Sequence, residues 1–175
     1  MKLLTEIREK DIDPNNEQLP DEAHIKSRET AKIILFDENN NIALIHYAST
    51  EKFPGDTYLL PGGGVDEGET VSETLHRETK EEIGCKIKDI KEIGYINEYM
   101  NQSLLKQKSN IFIAKIDGEK GERQLIQKEI EQNMQLIWCP VDKAIELVNA
   151  NQHNDFAKVR ALFVLNLIKN TYIPS

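Results

Sequence analysis

Glu78, Glu81 and Glu82 are the residues of this sequence whose types and spacing most directly suggest chemistry. At i, i+3 and i+4 they share one face of an α-helix, whose turn takes about 3.6 residues. Like charges that close cost about a few tenths of a kcal/mol per pair, so fold stability does not call for them. A divalent cation reverses the sign of the interaction. Magnesium and manganese favour hard oxygen ligands and usually take one or two carboxylates, with waters and substrate phosphates completing the shell. Such an ion would neutralise a pyrophosphate and draw the pKa of a bound water toward neutrality. Just upstream, Gly62, Gly63 and Gly64 let backbone approach phosphate oxygens or offer a carbonyl to the ion. Either half alone has a plain reading, a solvated helix face for ETKEE and a loop for the glycines. Their combination, at fixed spacing across a helix cap, is the informative feature.

The elements that must position these residues are also legible. Thr70-Val71-Ser72-Glu73 fits a capping box, and Gly84 stands where a left-handed residue would end the helix. The spacing therefore predicts a helix over 71–83, with Leu75, Thr79 and Ile83 on a face that packs against a sheet. His76 is placed on that packed side too, and each of the four histidines reads as structural or exposed. Upstream, AKIILFDENNNIALIHY carries two apolar runs around an Asp/Asn cluster, the signature of a β-hairpin. A short strand from Thr57 to Leu60 ends at Pro61. Further strands are expected near 87–99, 109–116 and 134–139, then helices over 140–148 and 155–168. Phe156, Val159, Leu162, Phe163 and Leu167 form an apolar stripe on the last. Residues 1–25, broken by Pro14 and Pro20, read as an N-terminal arm or irregular lead-in with a short helix before Asp11. Residues 26–175 read as a single domain of α+β class.

Gly63, five residues, Glu69, seven residues, and then Arg77-Glu78-x-x-Glu81-Glu82-x-Gly84 resembles the Nudix box, the signature of a hydrolase family. Each fixed identity of the signature is present. Its two aliphatic positions hold Thr79 and Cys85, which still suit packing. Tyr58-Leu59-Leu60-Pro61-Gly62-Gly63 is similar to the strand and turn that precede the box, and Trp138 before Pro140 to the late strand. The resemblance covers residues 31–148. It implies an α/β/α sandwich around a mixed β-sheet, and metal-dependent hydrolysis of a phosphoanhydride bond in a nucleoside diphosphate derivative. It implies Mg2+ or Mn2+ held by Glu78 and Glu82, with the Gly62 carbonyl as backbone ligand. Glu81 would be a third ligand or the group that helps deprotonate water. Gly62, Gly63, Gly64 and Tyr58 would border the substrate, while Glu69 and Arg77 would brace loop and helix. A general base outside the box falls to Glu129 or Glu131.

Composition narrows the partners. Hydrophobic residues make up 39% and charged residues 30%, ordinary for a soluble globular protein. The net charge of −8 repels a polyanion at long range. No basic stripe interleaved with aromatics reverses that, so nucleic acid is not expected; a small anionic substrate fits if bound cations neutralise the acids, and the resemblance implies one of nucleotide type. Cys85 and Cys139 form no paired zinc spacing, no apolar stretch reaches about 18 residues, and the chain reads as a reduced cytoplasmic protein without membrane contact. The arm could pack on a second copy, which leaves a homodimer open. Specificity is expected in residues 48–57 and 97–109, where Asn97, Asn101, Gln102 and Lys106 could read a base or sugar. Phe53, Tyr58, Tyr95 and Tyr99 could stack on a base. The alternative reading is a catalytically silent nucleotide sensor, but a sensor has no need of three adjacent carboxylates. A calcium scaffold is disfavoured, because the alternating Asp/Asn ligands of an EF-hand loop are missing.

Overall fold

The computed structural model describes residues 1–52 and 54–172. Seven strands form one mixed sheet: β1 (Leu3–Arg8), β2 (Lys26–Phe36), β3 (Ile42–Tyr47), β4 (Thr57–Leu59), β5 (Lys86–Met100), β6 (Leu105–Asp117) and β7 (Met134–Cys139). The order is β1-β5-β6-β2-β3-β4, with β7 on β3. The isoleucine-rich runs explain the centre. In β2, Ala31, Ile33 and Leu35 point to one face and Ile34 to the other, all of them buried. On the first face they meet Leu75 and Ile83 of the box segment. On the second, Ile34, Leu44, Ile96 and Ile111 pack against Ala144, Val148, Ala161, Val164 and Leu165. Those last residues belong to two helices, which close the α/β/α sandwich.

Three helical segments accompany the site. The box helix α2 runs Val71–Glu78 and passes into a π-type turn, Thr79–Ile83, before Gly84 ends it at φ +78°. Thr70 caps it as anticipated: its hydroxyl accepts from the Glu73 amide at 3.2 Å, and Glu73 accepts from the Thr70 amide at 2.8 Å. The wider turn has a local cause. Thr79 donates its hydroxyl to the Leu75 carbonyl at 2.7 Å, a back-bond that competes with regular i−4 pairing, and the Gly84 amide reaches Thr79 at 3.1 Å. The closing helices are α4 (Val141–Asn149), with Pro140 as its N-cap, and α5 (Phe156–Thr171), where Asp155 accepts from the Lys158 amide at 2.8 Å.

The opening residues differ from expectation. Instead of an irregular lead-in, Leu3–Arg8 pairs in parallel with β5 and buries Ile7, and a short helix α1 (Glu9–Ile12) follows. As an edge strand with one buried side chain, it shows no alternation to read. Its tethers are distant in sequence: Arg8 lies over the Tyr99 ring at 4.1 Å, and Glu9 accepts the Asn101 amide at 2.7 Å. Residues 97–109 are likewise no loop. Strand β5 reaches Met100, a 3-10 turn spans Asn101–Ser103, and β6 starts at Leu105. Another helix, α3 (Gln127–Glu131), carries Glu129 and Glu131.

One topological detail sets up the site. β2 pairs with β6 over its whole length but meets β3 only at Phe36–Ile42. The open edge of β2 is filled by residues 61–65: the Ile33 amide donates to the Pro61 carbonyl (3.1 Å), the Ala31 amide to Gly63 (3.0 Å), and the Val65 amide to Glu29 (3.0 Å). The glycine loop is thus anchored as a pseudo-strand.

Because the Thr70 cap fixes where the box helix begins, Thr70→Ala should lower stability by about 1 kcal/mol. For a chain of this size that is a fall of roughly 2–4 °C in Tm. Thermal denaturation checks it, with Thr70→Ser expected to retain most of the wild-type stability.

Candidate active site

The anchored loop explains its glycines. Gly62 sits at φ +113°, where an added Cβ would meet the Ala31 carbonyl oxygen, so no other residue fits. A Cβ on Gly63 would meet the carboxylate oxygens of Glu78, so its bareness lets that carboxylate lie against the backbone. Gly64 faces open space, and its carbonyl accepts from Arg77 at 3.1 Å.

Glu82 is 8% exposed, and its carboxylate accepts the Gly62 amide at 2.7 Å. Burial pushes its pKa up to about 7, against the opposing pull of Lys32 and that amide. Glu78 is half-buried and is shifted upward for the same reason, partly offset by Arg77 and Lys32. Glu81 is the most exposed of the three and accepts at 3.2 Å from the same Arg77 Nη1 that binds Glu78, so the two carboxylates remain neighbours.

Arg77 is the brace. Its Nε and Nη2 bind both oxygens of Glu69 at 2.9 Å, while Nη1 reaches Glu78 at 2.7 Å. The Arg77 guanidinium, helped by the Thr74 hydroxyl, holds Glu69 down at about 2. This fork-on-carboxylate contact ties loop and helix together.

Three groups near the carboxylates come from outside the box. Lys32 on β2 donates to the Gly62 carbonyl. By surface area the residue is half-buried, yet its ammonium lies deep among protein atoms, and desolvation with help from Arg160 lowers it to about 8. Sequence reasoning passed over it, although a lysine inside AKIILF, in phase with buried Ile34, was the available signal. Tyr47 on β3 is pushed up to about 12, by burial first and then by Glu82, Glu129 and Glu78. Glu129, half-buried at the amino end of α3, caps the Ile126 amide at 2.9 Å and acts electrostatically on Glu82. Glu131 is exposed and accepts from Gln127 at 3.1 Å.

The donor set fits a hard cation. A carbonyl and two carboxylates converge, and the cationic Lys32 ammonium already stands on that carbonyl. Among the described residues no three His, Cys, Asp or Glu side chains gather closely enough to hold an ion. Two carboxylates plus backbone are enough for magnesium or manganese, which usually take one or two carboxylates.

Other candidates separate. Tyr58 stacks on His46, ring centroids 4.5 Å apart, and packs into the core beside α4 and α5. Tyr99 is buried under Arg8 and near Lys106, so it has no free face. Asn101 binds His24 and the Glu17 carbonyl, and Gln102 is exposed. His76 is exposed, not on the packed side, because Thr74 and Leu75 take the buried positions. Asn97, Lys106 and Tyr95 do come together, in a cleft of about 930 Å³ beside Glu69 and Val71. Phe53 lies outside the described residues.

A protein-family model for the NUDIX domain matches residues 26–162, and the chain belongs to that family. Among curated proteins it is similar to the RNA pyrophosphohydrolase of Pseudoalteromonas atlantica, at 29% identity over 68 residues. That match takes in 39% of this chain and spans only 38% of the relative's length. Among solved structures it is similar to an ADP compounds hydrolase, with a TM-score of 0.59, 24% identity, and 83% and 75% of the two chains covered. It is also similar to the E. coli ORF135 protein, with a TM-score of 0.58, 16% identity, and 86% and 96% covered. At these identities the structural likeness is one of fold.

The upward shift of Glu82 has a pH consequence. In the metal-free protein the folded state keeps a proton that the unfolded chain has released, so this contribution is whole below about 4.5 and is lost as pH rises through about 7. Chemical denaturation in chelator across that window should show stability falling with pH, and Glu82→Gln should flatten the slope. A slope that ignores the substitution would contradict the burial argument.

Proposed function

We propose that the protein is a divalent-metal-dependent pyrophosphohydrolase that cuts the phosphoanhydride bond of a nucleoside diphosphate derivative. The observation carrying this reading is the Gly62 peptide: its N–H holds the buried Glu82 carboxylate, and its carbonyl stands beside the same oxygen cluster. Glu78, Glu82 and the Gly62 carbonyl would hold Mg2+ or Mn2+. The ion, when bound, offsets pyrophosphate charge and acidifies a water. Gly63 and Gly64 leave the loop backbone bare for close approach of phosphate oxygens. Arg77 and Glu69 keep Glu78 pointing at Gly63. Glu81, tied to Arg77, steadies that brace and is no ligand. We assign the proton of the attacking water to Glu129 rather than Glu131, because Glu129 acts electrostatically on Glu82 from a separate element. The cleft with Asn97, Lys106 and Tyr95 lies beside the box loop and offers polar groups to the remainder of the substrate. We place the activity in one unit, residues 26–175, with residues 1–25 joined to its edge. Two buried free thiols, Cys85 and Cys139, accord with a cytoplasmic setting. Among the described residues no helix is long and apolar enough to cross a membrane.

The test is turnover with Mg2+ or Mn2+ on ADP-ribose, dinucleotide polyphosphates, a nucleotide sugar, oxidised nucleoside triphosphates and an RNA with a 5′ pyrophosphate linkage. A small nucleotide is expected to be the best substrate; preference for the RNA would redirect the substrate assignment toward the curated relative. Glu78→Gln and Glu82→Gln should each lower kcat/KM by on the order of 10²-fold or more. Glu129→Gln should lower kcat with little change in KM, and Glu131→Gln should leave both near wild type. Tight, metal-independent nucleotide binding without turnover would instead mark a sensor.

A further inference from the structure

The hydrolase reading leaves one cation unexplained. Lys32 stands on β2 in an apolar run, and its ammonium donates to the Gly62 carbonyl, the backbone group expected to face a metal. Its nearest charged neighbours divide into two sets. On one side are Glu82 and Glu78, which act on it electrostatically without a contact ion pair among the described residues. On the other are Arg160, which repels it, and fully buried Glu98. Glu98 is already satisfied: it accepts from Arg160 at 2.5 Å, from Gln107 at 2.7 Å and from the Ser109 hydroxyl. Lys32 thus donates beside Glu82, which has no ion-pair partner among the described residues, and near Glu78, whose ion pair is with Arg77.

The energetics favour such a group. Two carboxylates set against the Gly62–Gly63 backbone, one buried and one half-buried, repel one another unless a positive charge offsets them. No other ammonium or guanidinium takes the Gly62 carbonyl among the described residues; Arg77 binds Glu78 from the opposite, outer side. We propose that Lys32 is the resident counter-ion of this oxygen cluster, and that a divalent cation must displace its ammonium from the Gly62 carbonyl to bind. Resting on the hydrolase reading, this makes Lys32 a positioning residue that sets metal affinity and keeps the empty cluster folded.

The experiment is titration of the full chain with Mn2+, followed by electron paramagnetic resonance and calorimetry without substrate. Lys32→Met removes the charge at nearly constant length, and Lys32→Gln removes it while keeping a donor for the carbonyl. Both should bind Mn2+ about tenfold more tightly than wild type, whereas Lys32→Arg should not. In chelator both uncharged variants should melt lower than wild type and recover on adding Mn2+. Should Lys32→Met fail to fold without metal, Lys32→Gln carries the comparison. For the wild type, one lysine side-chain resonance, identified by its loss in Lys32→Arg, should shift on saturation with Mg2+. Equal or weaker Mn2+ binding by the uncharged variants, or an unmoved Lys32 resonance, would overturn the proposal while leaving the hydrolase intact. If wild type and variants all fail to bind Mn2+, the metal-dependent reading itself falls, and Lys32's role with it.

Discussion

The arrangement of this protein depends on where the Gly62 peptide is held. Two amides of β2, those of Ala31 and Ile33, bind the carbonyls of Gly63 and Pro61, so Gly62 is pinned between them. Its own N–H then points at Glu82 and its carbonyl at Lys32. Burying a carboxylate costs several kcal/mol unless hydrogen bonds replace its water. A bond from an amide to a charged oxygen offsets about 1.5–3 kcal/mol of that. The sheet makes this possible because β2 and β3 part after one paired position, leaving an edge for the loop to occupy. A continuous β2–β3 ladder would leave it no place.

Around that peptide, the three glutamates that are equivalent by spacing become unequal by environment. Glu82 is buried on an amide, Glu78 rests on bare Gly63 under Arg77, and Glu81 is the more exposed partner of the same guanidinium. The π-type turn contributes, since it begins at Thr79, between the first glutamate and the other two. A β-branched hydroxyl at an aliphatic position therefore has a geometric effect beyond filling space.

What could be read from the letters follows from which interactions are local. The Thr70 cap, the Gly84 stop and the apolar runs of β2 and β3 depend on neighbours within a few residues, and the structure has them. The glycine and glutamate spacing was legible too, but the wider turn at Thr79–Ile83 was not, because regular helical periodicity carries no sign of it. Strand β1 and the polar first half of β6 were missed for a different reason: their side chains alternate against partners far along the chain. Lys32 was overlooked because a lone lysine in an apolar strand is usually read as an interruption. Asn101 and Tyr99, polar and aromatic and so plausible readers of a base, are engaged by the N-terminal segment, which no local pattern announces.

That N-terminal segment has a consequence for how the chain reaches its fold. Residues 3–8 form an edge strand of the finished sheet, and Glu6 meets Tyr99 across 93 positions. Strand β2 waits almost as long, since Thr30 meets Ser109 across 79 positions. Both pairings are parallel, so no hairpin can form them in passing. The longest pairing between strands adjacent in sequence is the β5–β6 hairpin, which can form early. During synthesis the amino-terminal strands must stay unpaired until that hairpin emerges, and loop closure of this length makes such folding slow. The polar letters of KDIDPNNEQLPDE suit that interval: they keep the waiting segment soluble, and β1 is seated after the strand it was made before.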